Sequence, residues 1–306
     1  MKTILITTSS FAKMDETPLE KLKDKCFEVV LNPFGRKLTE EEITGLIQKY
    51  KPDALLAGVE PLTSEVLEKA FPRLKVISRC GIGIDSVDIH TAKRLGITVT
   101  NTPDAPTIPV AELTMGMILA LLRQIHVTDA GIRDNRWERP MGNLLYGKTV
   151  GIIGCGRIGT RLAKMLQGFD CTVIGADPAK PQCADFQLVD LEQLLADSDI
   201  ISLHLPYSAK THHFINKNRL TLMKKGAYLI NAARGGMVDE DALYRALRSD
   251  HLAGAALDCF EQEPYQGPLK ELKNVLLTAH IGSYAREGRI MMEAQAVENL
   301  LAELSV

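Results

Sequence analysis

Short runs of aliphatic and β-branched residues alternate along this chain with longer segments whose apolar residues recur every three or four positions. In the first third, residues 4–7, 27–31, 54–57, 75–78 and 97–100 predict strands. Between them, residues 16–24, 40–49, 63–70 and 87–95 predict helices, several closed by Gly or Pro. Strand and helix in regular alternation predict βα units wound on a parallel sheet. A polar, Pro-containing loop follows Asn101-Thr102-Pro103 and runs to Pro109. Residues 110–122, with a continuation toward 132, then make an apolar segment that predicts a buried helix. It matches neither flanking rhythm and reads as a connector between two domains.

A second alternating series begins at residues 148–153. Further strands are predicted at 171–176, 199–204, 227–231, 254–258 and 275–278. Residues 286–304 carry Ile290, Met291, Ala294, Val297, Leu300 and Leu301 at helical spacing and predict a closing helix. No short repeat and no low-complexity tract interrupts either series.

Length and composition narrow the classes without naming one. A chain of 306 residues, 45% hydrophobic and 24% charged, has the make-up of a globular protein of roughly two domains. Lys and Arg number 36 against 38 Asp and Glu, a net charge of −2 with no basic tract, which argues against a nucleic-acid binder. Apolar runs such as 115–122 fall far short of the ~20 residues that span a bilayer, and the N-terminus has no signal-peptide pattern. The six cysteines, Cys26, Cys80, Cys155, Cys171, Cys183 and Cys259, form no C-x-x-C pair, no zinc cluster and no disulfide framework. A reducing cytoplasmic compartment and no metal are expected.

The chemistry is carried by local motifs. Gly154-Cys155-Gly156-Arg157-Ile158-Gly159 follows a buried strand and opens an amphipathic helix bearing Leu162, Ala163, Met165 and Leu166. A second strand then ends at Asp177, 18 residues beyond Gly159. That context is the one a dinucleotide-binding βαβ unit requires. Gly154 permits a tight turn, Gly156 lets backbone approach a pyrophosphate, and Gly159 allows close helix–strand packing. Arg157 and Ile158 stand at the helix N-terminus, where backbone N–H groups and the helix dipole suit the anion. Asp177 suits ribose hydroxyls and repels a 2′-phosphate; Pro178 and Ala179 follow with no arginine, so NAD is favoured over NADP.

Three later segments place ionisable residues after predicted strands: Arg234-Gly235-Gly236-Met237-Val238-Asp239, Leu257-Asp258-Cys259-Phe260-Glu261-Gln262-Glu263-Pro264, and His280-Ile281-Gly282. In this order, together with the glycine motif, Arg79-Cys80-Gly81-Ile82-Gly83-Ile84-Asp85 and Asn101-Thr102-Pro103, they resemble the D-isomer-specific 2-hydroxyacid dehydrogenase family over essentially the whole chain.

The resemblance implies an α/β fold of two domains with parallel sheets, a Rossmann NAD-binding domain (102–282) inserted into a flavodoxin-like substrate domain (1–101 and 283–306), with the active site in the cleft. It implies hydride transfer between NAD(H) and a small 2-hydroxy or 2-keto acid. Arg234 would clamp the carboxylate, since a guanidinium meets it bidentately. His280 would act as acid and base, an imidazole titrating near working pH. Glu263 would orient it. His204, Pro206, Thr211, Ala232, Asp258 and Gly282 would lie at the cofactor, Asp258 on the nicotinamide carboxamide. Gly81, Ile82 and Gly83 would offer backbone N–H groups to the substrate carboxylate. His212 and His213 are expected in a surface loop.

Segments Gly58-Val59-Glu60-Pro61-Leu62-Thr63 and Arg79-Cys80-Gly81 resemble short members related to D-3-phosphoglycerate dehydrogenase, which makes phosphoglycerate the first expectation. Ala57-Gly58 stands where an Arg-Ser pair is common in phosphate-binding members, so glyoxylate or hydroxypyruvate reduction is the alternative. A dinucleotide-sensing corepressor is the alternative of another class, disfavoured by Arg234, Glu263 and His280 together. With the chain ending at its last helix, no appended regulatory domain is expected. A homodimer, by resemblance through the cofactor domains, is the expected assembly.

Overall fold

The computed structural model describes residues 1–179, 181 and 185–304. It is an α/β fold in which every strand pairing is parallel. The chain divides into two compact units, Met1–Pro106 with Ser283–Val306, and Thr107–Gly282.

The first unit runs β1 (Thr3–Ile6), α1 (Thr17–Asp24), β2 (Glu28–Leu31), α2 (Glu40–Tyr50), β3 (Ala54–Ala57), α3 (Ser64–Ala70), β4 (Val76–Arg79), α4 (Ile89–Arg94) and β5 (Thr98–Asn101). The second unit has α5 (Thr107–Leu122), α6 (Ile125–Arg133), β6 (Thr149–Ile153), α7 (Arg157–Leu166), β7 (Thr172–Ala176), β8 (Gln187–Leu188) and α8 (Leu191–Asp197). It continues through β9 (Ile200–Leu203), α9 (Lys217–Leu222), β10 (Ala227–Asn231), α10 (Glu240–Arg248), β11 (Leu252–Leu257) and β12 (Val275–Leu277), after which α11 (Arg286–Glu303) returns to the first unit.

Among the described residues, the first sheet has strand order β2-β1-β3-β4-β5, the flavodoxin-like order. Its central strands β1, β3 and β4 are buried along their whole length, because helices cover both faces. Alternation divides their side chains: Leu5, Leu55 and Ile77 pack with α2 and α3, while Ile4, Ile6, Leu56 and Val76 pack with Met292, Ala296, Val297 and Leu300 of α11. The Ser78 hydroxyl donates to the Ala296 carbonyl (2.7 Å) and Asn299 donates to the Asn101 carbonyl (2.8 Å), seating α11 on this sheet.

The second sheet has the order β12-β11-β10-β9-β6-β7-β8, a doubly wound Rossmann arrangement that reverses direction between β6 and β9. The two-residue strand β8 has no counterpart among the predicted strands; it is too short to show a period. The apolar segment predicted as a connector instead belongs to the second unit. Val110, Ala111, Met115, Ile118, Leu121 and Leu122 of α5 pack with Leu162 and Leu166 of α7 and with Ile230 and Ala256 of the sheet. A helix this apolar around its circumference is stable only when covered on most sides. It does not continue straight on: Gln124 takes a left-handed φ of 53°, and α6 leaves at a 68° bend. No single described helix is long and apolar enough to cross a membrane. Cys26, Cys80, Cys155, Cys171 and Cys259 are free thiols, whereas Cys183 lies outside the described residues.

Candidate active site

Three neighbouring strands of the second sheet deliver the three residues singled out as catalytic. Arg234 stands three residues past the end of β10, Glu263 in the loop after β11, and His280 just past β12. Carboxyl ends of parallel strands are where open α/β sheets bind ligands, because the following loops converge there.

Each loop is held by its own polar contacts. After β10, the Asn231 side chain donates to the Arg234 carbonyl (2.9 Å) and accepts from the Ala233 N–H (3.1 Å), closing a tight turn. Arg234 Nη1 donates back to the Ala233 carbonyl (2.7 Å). Gly235 is required here for space: a Cβ on it would overlap the Phe260 carbonyl, so the arginine loop and the glutamate loop touch backbone to backbone. The sequence motif contains this glycine, but only the fold shows what it faces. Glu263 accepts from the Phe260 N–H (3.2 Å), and both its carboxylate oxygens lie 3.0 Å from His280 Nδ1. The carboxylate favours the tautomer with a proton on Nδ1, in which Nε2 carries the ring's lone pair. Both side chains are about two-fifths exposed (42% and 40%), open enough for a small molecule to reach.

His280 itself has φ 54°, a left-handed conformation unusual for a non-glycine residue and typical of functional sites. Asp258 holds that geometry. It is fully buried, its Oδ1 accepts from the Thr278 hydroxyl (2.6 Å) and the Ile281 N–H (2.8 Å), and its Oδ2 accepts from the Gly282 N–H (2.8 Å). Its first visible task is therefore to anchor the histidine loop.

The glycine motif has three distinct geometries. Gly154 has φ 95°, and a Cβ there would lie 2.6 Å from the His204 carbonyl carbon. A Cβ on Gly159 would collide with the Gly154 carbonyl. Gly156 differs: a Cβ would meet nothing within 4 Å, so this residue faces open space at the N-terminus of α7. Gly156 is also the N-cap of that helix, and no side chain among the described residues caps it. An uncapped helix start beside an open glycine face suits a bound anion. Asp177, just past β7, accepts from the Cys155 N–H and the Ala179 N–H (both 2.8 Å). It borders a cavity of about 250 Å³ lined also by Leu188, Val189, Asp190 and Gln193. Asp190 was not legible in the sequence as part of this region. It begins α8 without capping it, and its carboxylate adds a second negative charge beside Asp177.

His204 sits at the end of β9, its N–H donating to the Ile153 carbonyl (2.7 Å) and its Nε2 2.8 Å from the Ser202 hydroxyl. Burial lowers its pKa to about 4, so the ring is neutral at physiological pH. The Thr211 hydroxyl bonds the Pro206 carbonyl (2.9 Å) and the Ser208 N–H (2.7 Å), shaping the loop beyond β9. Ala232 is buried beside β10. Gly81, Ile82 and Gly83 belong to the other unit, in the loop after β4.

Fold and site thus define a dinucleotide-dependent α/β protein with an arginine and a carboxylate–histidine pair on adjacent strand ends. The family model "D-isomer specific 2-hydroxyacid dehydrogenase, NAD binding domain" matches residues 115–282. A glyoxylate reductase of Thermofilum pendens is 42% identical over 94% of this chain and 88% of its own length. A D-3-phosphoglycerate dehydrogenase of Methanocaldococcus jannaschii is 42% identical over 82% of this chain but only 49% of its own length. A D-lactate dehydrogenase of Aquifex aeolicus, solved with NAD and lactic acid, superposes with a TM-score of 0.84 at 30% identity, covering 99% of this chain and 95% of that one. The chain belongs to the D-isomer-specific 2-hydroxyacid dehydrogenase family. It is an oxidoreductase acting on 2-hydroxy acids, and its cofactor is NAD.

Proposed function

We propose that this enzyme reduces a short, unphosphorylated 2-keto acid of the glyoxylate or hydroxypyruvate type. The observation that carries the choice is the segment after β3. It reads Gly58-Val59-Glu60, with no cation, and the Glu60 carboxylate is buried there, accepting from the Thr7 hydroxyl and from the Gly58 N–H (3.1 Å). A phosphate is held by Arg, Lys or a helix N-terminus, and a buried acidic side chain supplies none of these. Arg79, which acts electrostatically on Glu60, is itself buried and donates to the Cys80 carbonyl. Phosphohydroxypyruvate, the first expectation from sequence, becomes the second reading.

In this reading Arg234 binds the substrate carboxylate. His280 Nε2 gives its proton to the keto oxygen during reduction and takes it back during oxidation. Glu263 keeps Nδ1 protonated and favours the imidazolium that exists before transfer. NAD supplies the hydride acceptor or, when reduced, the donor. For the cofactor, the uncapped start of α7 (Gly156, Arg157, Ile158) takes the pyrophosphate, and the Asp177–Asp190 cavity takes the adenosine end. Two carboxylates there repel a 2′-phosphate. Ala232, His204, Pro206, Thr211 and Gly282 line the rest of the path.

A homodimer is part of the proposal. Trp137, Met141, Leu144 and Tyr146 form an apolar stretch after α6 in which each is at least 64% exposed, and exposed apolar clusters of this kind mark association surfaces. A cytoplasmic setting is supported by the free thiols.

Steady-state NADH oxidation with glyoxylate, hydroxypyruvate and 3-phosphohydroxypyruvate tests the substrate. Glyoxylate or hydroxypyruvate is expected to give the higher kcat/KM. Preference for the phosphorylated acid overturns the proposal, and tight NADH binding without turnover of any of them favours a sensor.

A further inference from the structure

One residue beside the histidine takes no part in that reaction. Cys259 follows Asp258 at the end of β11, is 1% exposed, and donates through its Sγ to the Ala233 carbonyl (3.6 Å). Its sulfur, a Glu263 carboxylate oxygen and a ring nitrogen of His280 all lie within 4.8 Å of one another. Thiolate, imidazole and carboxylate are the donors that zinc prefers, and a three-residue set with an open fourth position is a common protein arrangement for it.

We propose that Cys259, Glu263 and His280 form a three-donor site for a soft divalent cation of the zinc type, and that filling it inhibits the enzyme.

The geometry is close to what such an ion needs. Tetrahedral bonds of about 2.0–2.3 Å set nitrogen, oxygen and sulfur donors roughly 3.3–3.6 Å apart. The His280–Glu263 separation of 3.0 Å must open by a few tenths of an ångström, and the sulfur must close by up to about 1.2–1.5 Å, a shift of the order that side-chain rotation supplies. The backbone need not move, because the three hydrogen bonds to Asp258 already fix the histidine loop. Access comes from the exposed sides of Glu263 and His280, and water fills the fourth position; Cys259 closes the site from beneath.

Without the ion the thiol stays protonated. Burial pushes its pKa well above the ordinary range, the Asp258 charge adds to this, and the Arg234 charge opposes it. Cys259 is therefore no nucleophile at neutral pH. A bound cation reverses the balance: the S–H proton leaves to solvent as the metal–sulfur bond forms, and His280 Nδ1 takes the metal in place of its proton, which passes to Nε2. Inhibition results because the imidazole cannot ligate the ion and keep its hydrogen bond to Glu263 while cycling a proton. That half of the inference rests on the proposed role of His280; the binding half does not.

The test uses the intact, tag-free chain. Zinc affinity is measured by competition with a chromophoric chelator, without NAD or keto acid. Cobalt is then substituted and its thiolate-to-metal charge-transfer absorption recorded. One ion per chain is expected, with affinity at least about tenfold weaker in Cys259→Val. Both Cys259→Val and the nearly isosteric Cys259→Ser should lose the charge-transfer band and keep the ion-free activity. Undiminished zinc affinity in Cys259→Val, or a cobalt spectrum without the thiolate band in the wild type, overturns the site. Zinc should inhibit the wild type reversibly, with recovery in EDTA, and spare Cys259→Val; equal inhibition of both overturns the inhibitory role. If the ion-free wild type turns over no keto acid, the dehydrogenase reading and the inhibition fail together, while the binding measurements still decide the site.

Discussion

The two units each place a glycine-rich turn at the carboxyl edge of a parallel sheet, and the turns differ in the structure behind them. After β6, Gly154-Cys155-Gly156 leads directly into α7, a ten-residue helix whose start no side chain among the described residues caps. After β4, Gly81-Ile82-Gly83 leads into a loop, and the next helix, α4, begins only at Ile89 and has six residues. The first turn draws its positive potential from backbone N–H groups and the helix dipole. The second has side chains beneath it instead: a Cβ on Gly81 would run into the Arg79 guanidinium, and Arg79 in turn acts electrostatically on the buried Glu60. A G-x-G pattern is therefore not one device. With a helix behind it, the turn gains the positive potential that suits a pyrophosphate; in the first unit it stands instead against the Arg79 guanidinium.

That contrast can be broken most sharply in the catalytic loops, which belong to the second unit alone. Arg234→Ala is expected to lower kcat/KM by about 3–5 kcal/mol if it removes a carboxylate clamp. His280→Ala is expected to lower kcat by about 10²–10⁴ while NADH affinity, read by fluorescence titration, stays near wild type. Loss of cofactor binding alone in either variant would put these residues on the cofactor.

The two glycine turns give the next largest effect. Gly159→Ala forces a collision with the Gly154 carbonyl and should destabilise the second unit by about 1–3 kcal/mol while weakening NADH binding. Gly81→Ala, at φ 142°, should raise KM for the keto acid and leave NADH affinity unchanged. If both variants impair the same ligand, the division of labour between the turns is wrong.

Asp177→Ala should shift the NAD-to-NADP ratio of kcat/KM by about tenfold, or 1.4 kcal/mol. A shift appearing only when Asp190 is also replaced would assign the discrimination to the pair.

The smallest effect is the most specific to the comparison, since buried groups in the two units, His204 in one and Glu60 and Glu293 in the other, should respond to acid with opposite sign. His204 in the second unit has its folded pKa lowered to about 4 from 6.5, so the unfolded chain binds the proton first. Its contribution is complete above pH 6.5 and shrinks as pH falls toward 4, by about 1 kcal/mol between pH 6 and 5. In the first unit, burial raises the pKa of Glu60 and of Glu293, so the folded state keeps protons that the unfolded chain has released. Stability from these two is greatest below about pH 4.5 and declines as pH rises through their folded values. Native-state hydrogen exchange, corrected for intrinsic rates, should show the strands around His204 losing protection on acidification. Glu60→Gln should flatten the response of the first unit only.

Most of the fold was legible because its signals are local. The five strands of the first sheet fall within a residue or so of their predicted positions, and 227–231 and 54–57 coincide with β10 and β3. The strand-ending motifs with Arg234, Glu263 and His280 were likewise readable, since parallel sheets send such segments to one edge. The apolar stretch from residue 110 reads as a connector in sequence, whereas the fold builds it into the second unit. Periodicity shows that a helix is apolar on every side but not which unit covers it. Unseen were β8, Asp190 and the contact of Gly235 with Phe260, none of which has a repeating pattern or a motif of its own.

Sequence alone was enough to establish most of the strands, the dinucleotide motif and the place of Arg234, Glu263 and His280 beyond strand ends. These depend on spacing along the chain, and spacing is what hydrophobic periodicity and turn chemistry record. Tertiary structure decided the rest: the left-handed backbone that presents His280, the buried Asp258 that holds it there, and the approach of the Cys259 thiol to the histidine–glutamate pair. Each joins residues from different strands, and only the register and packing of the folded sheet set such distances.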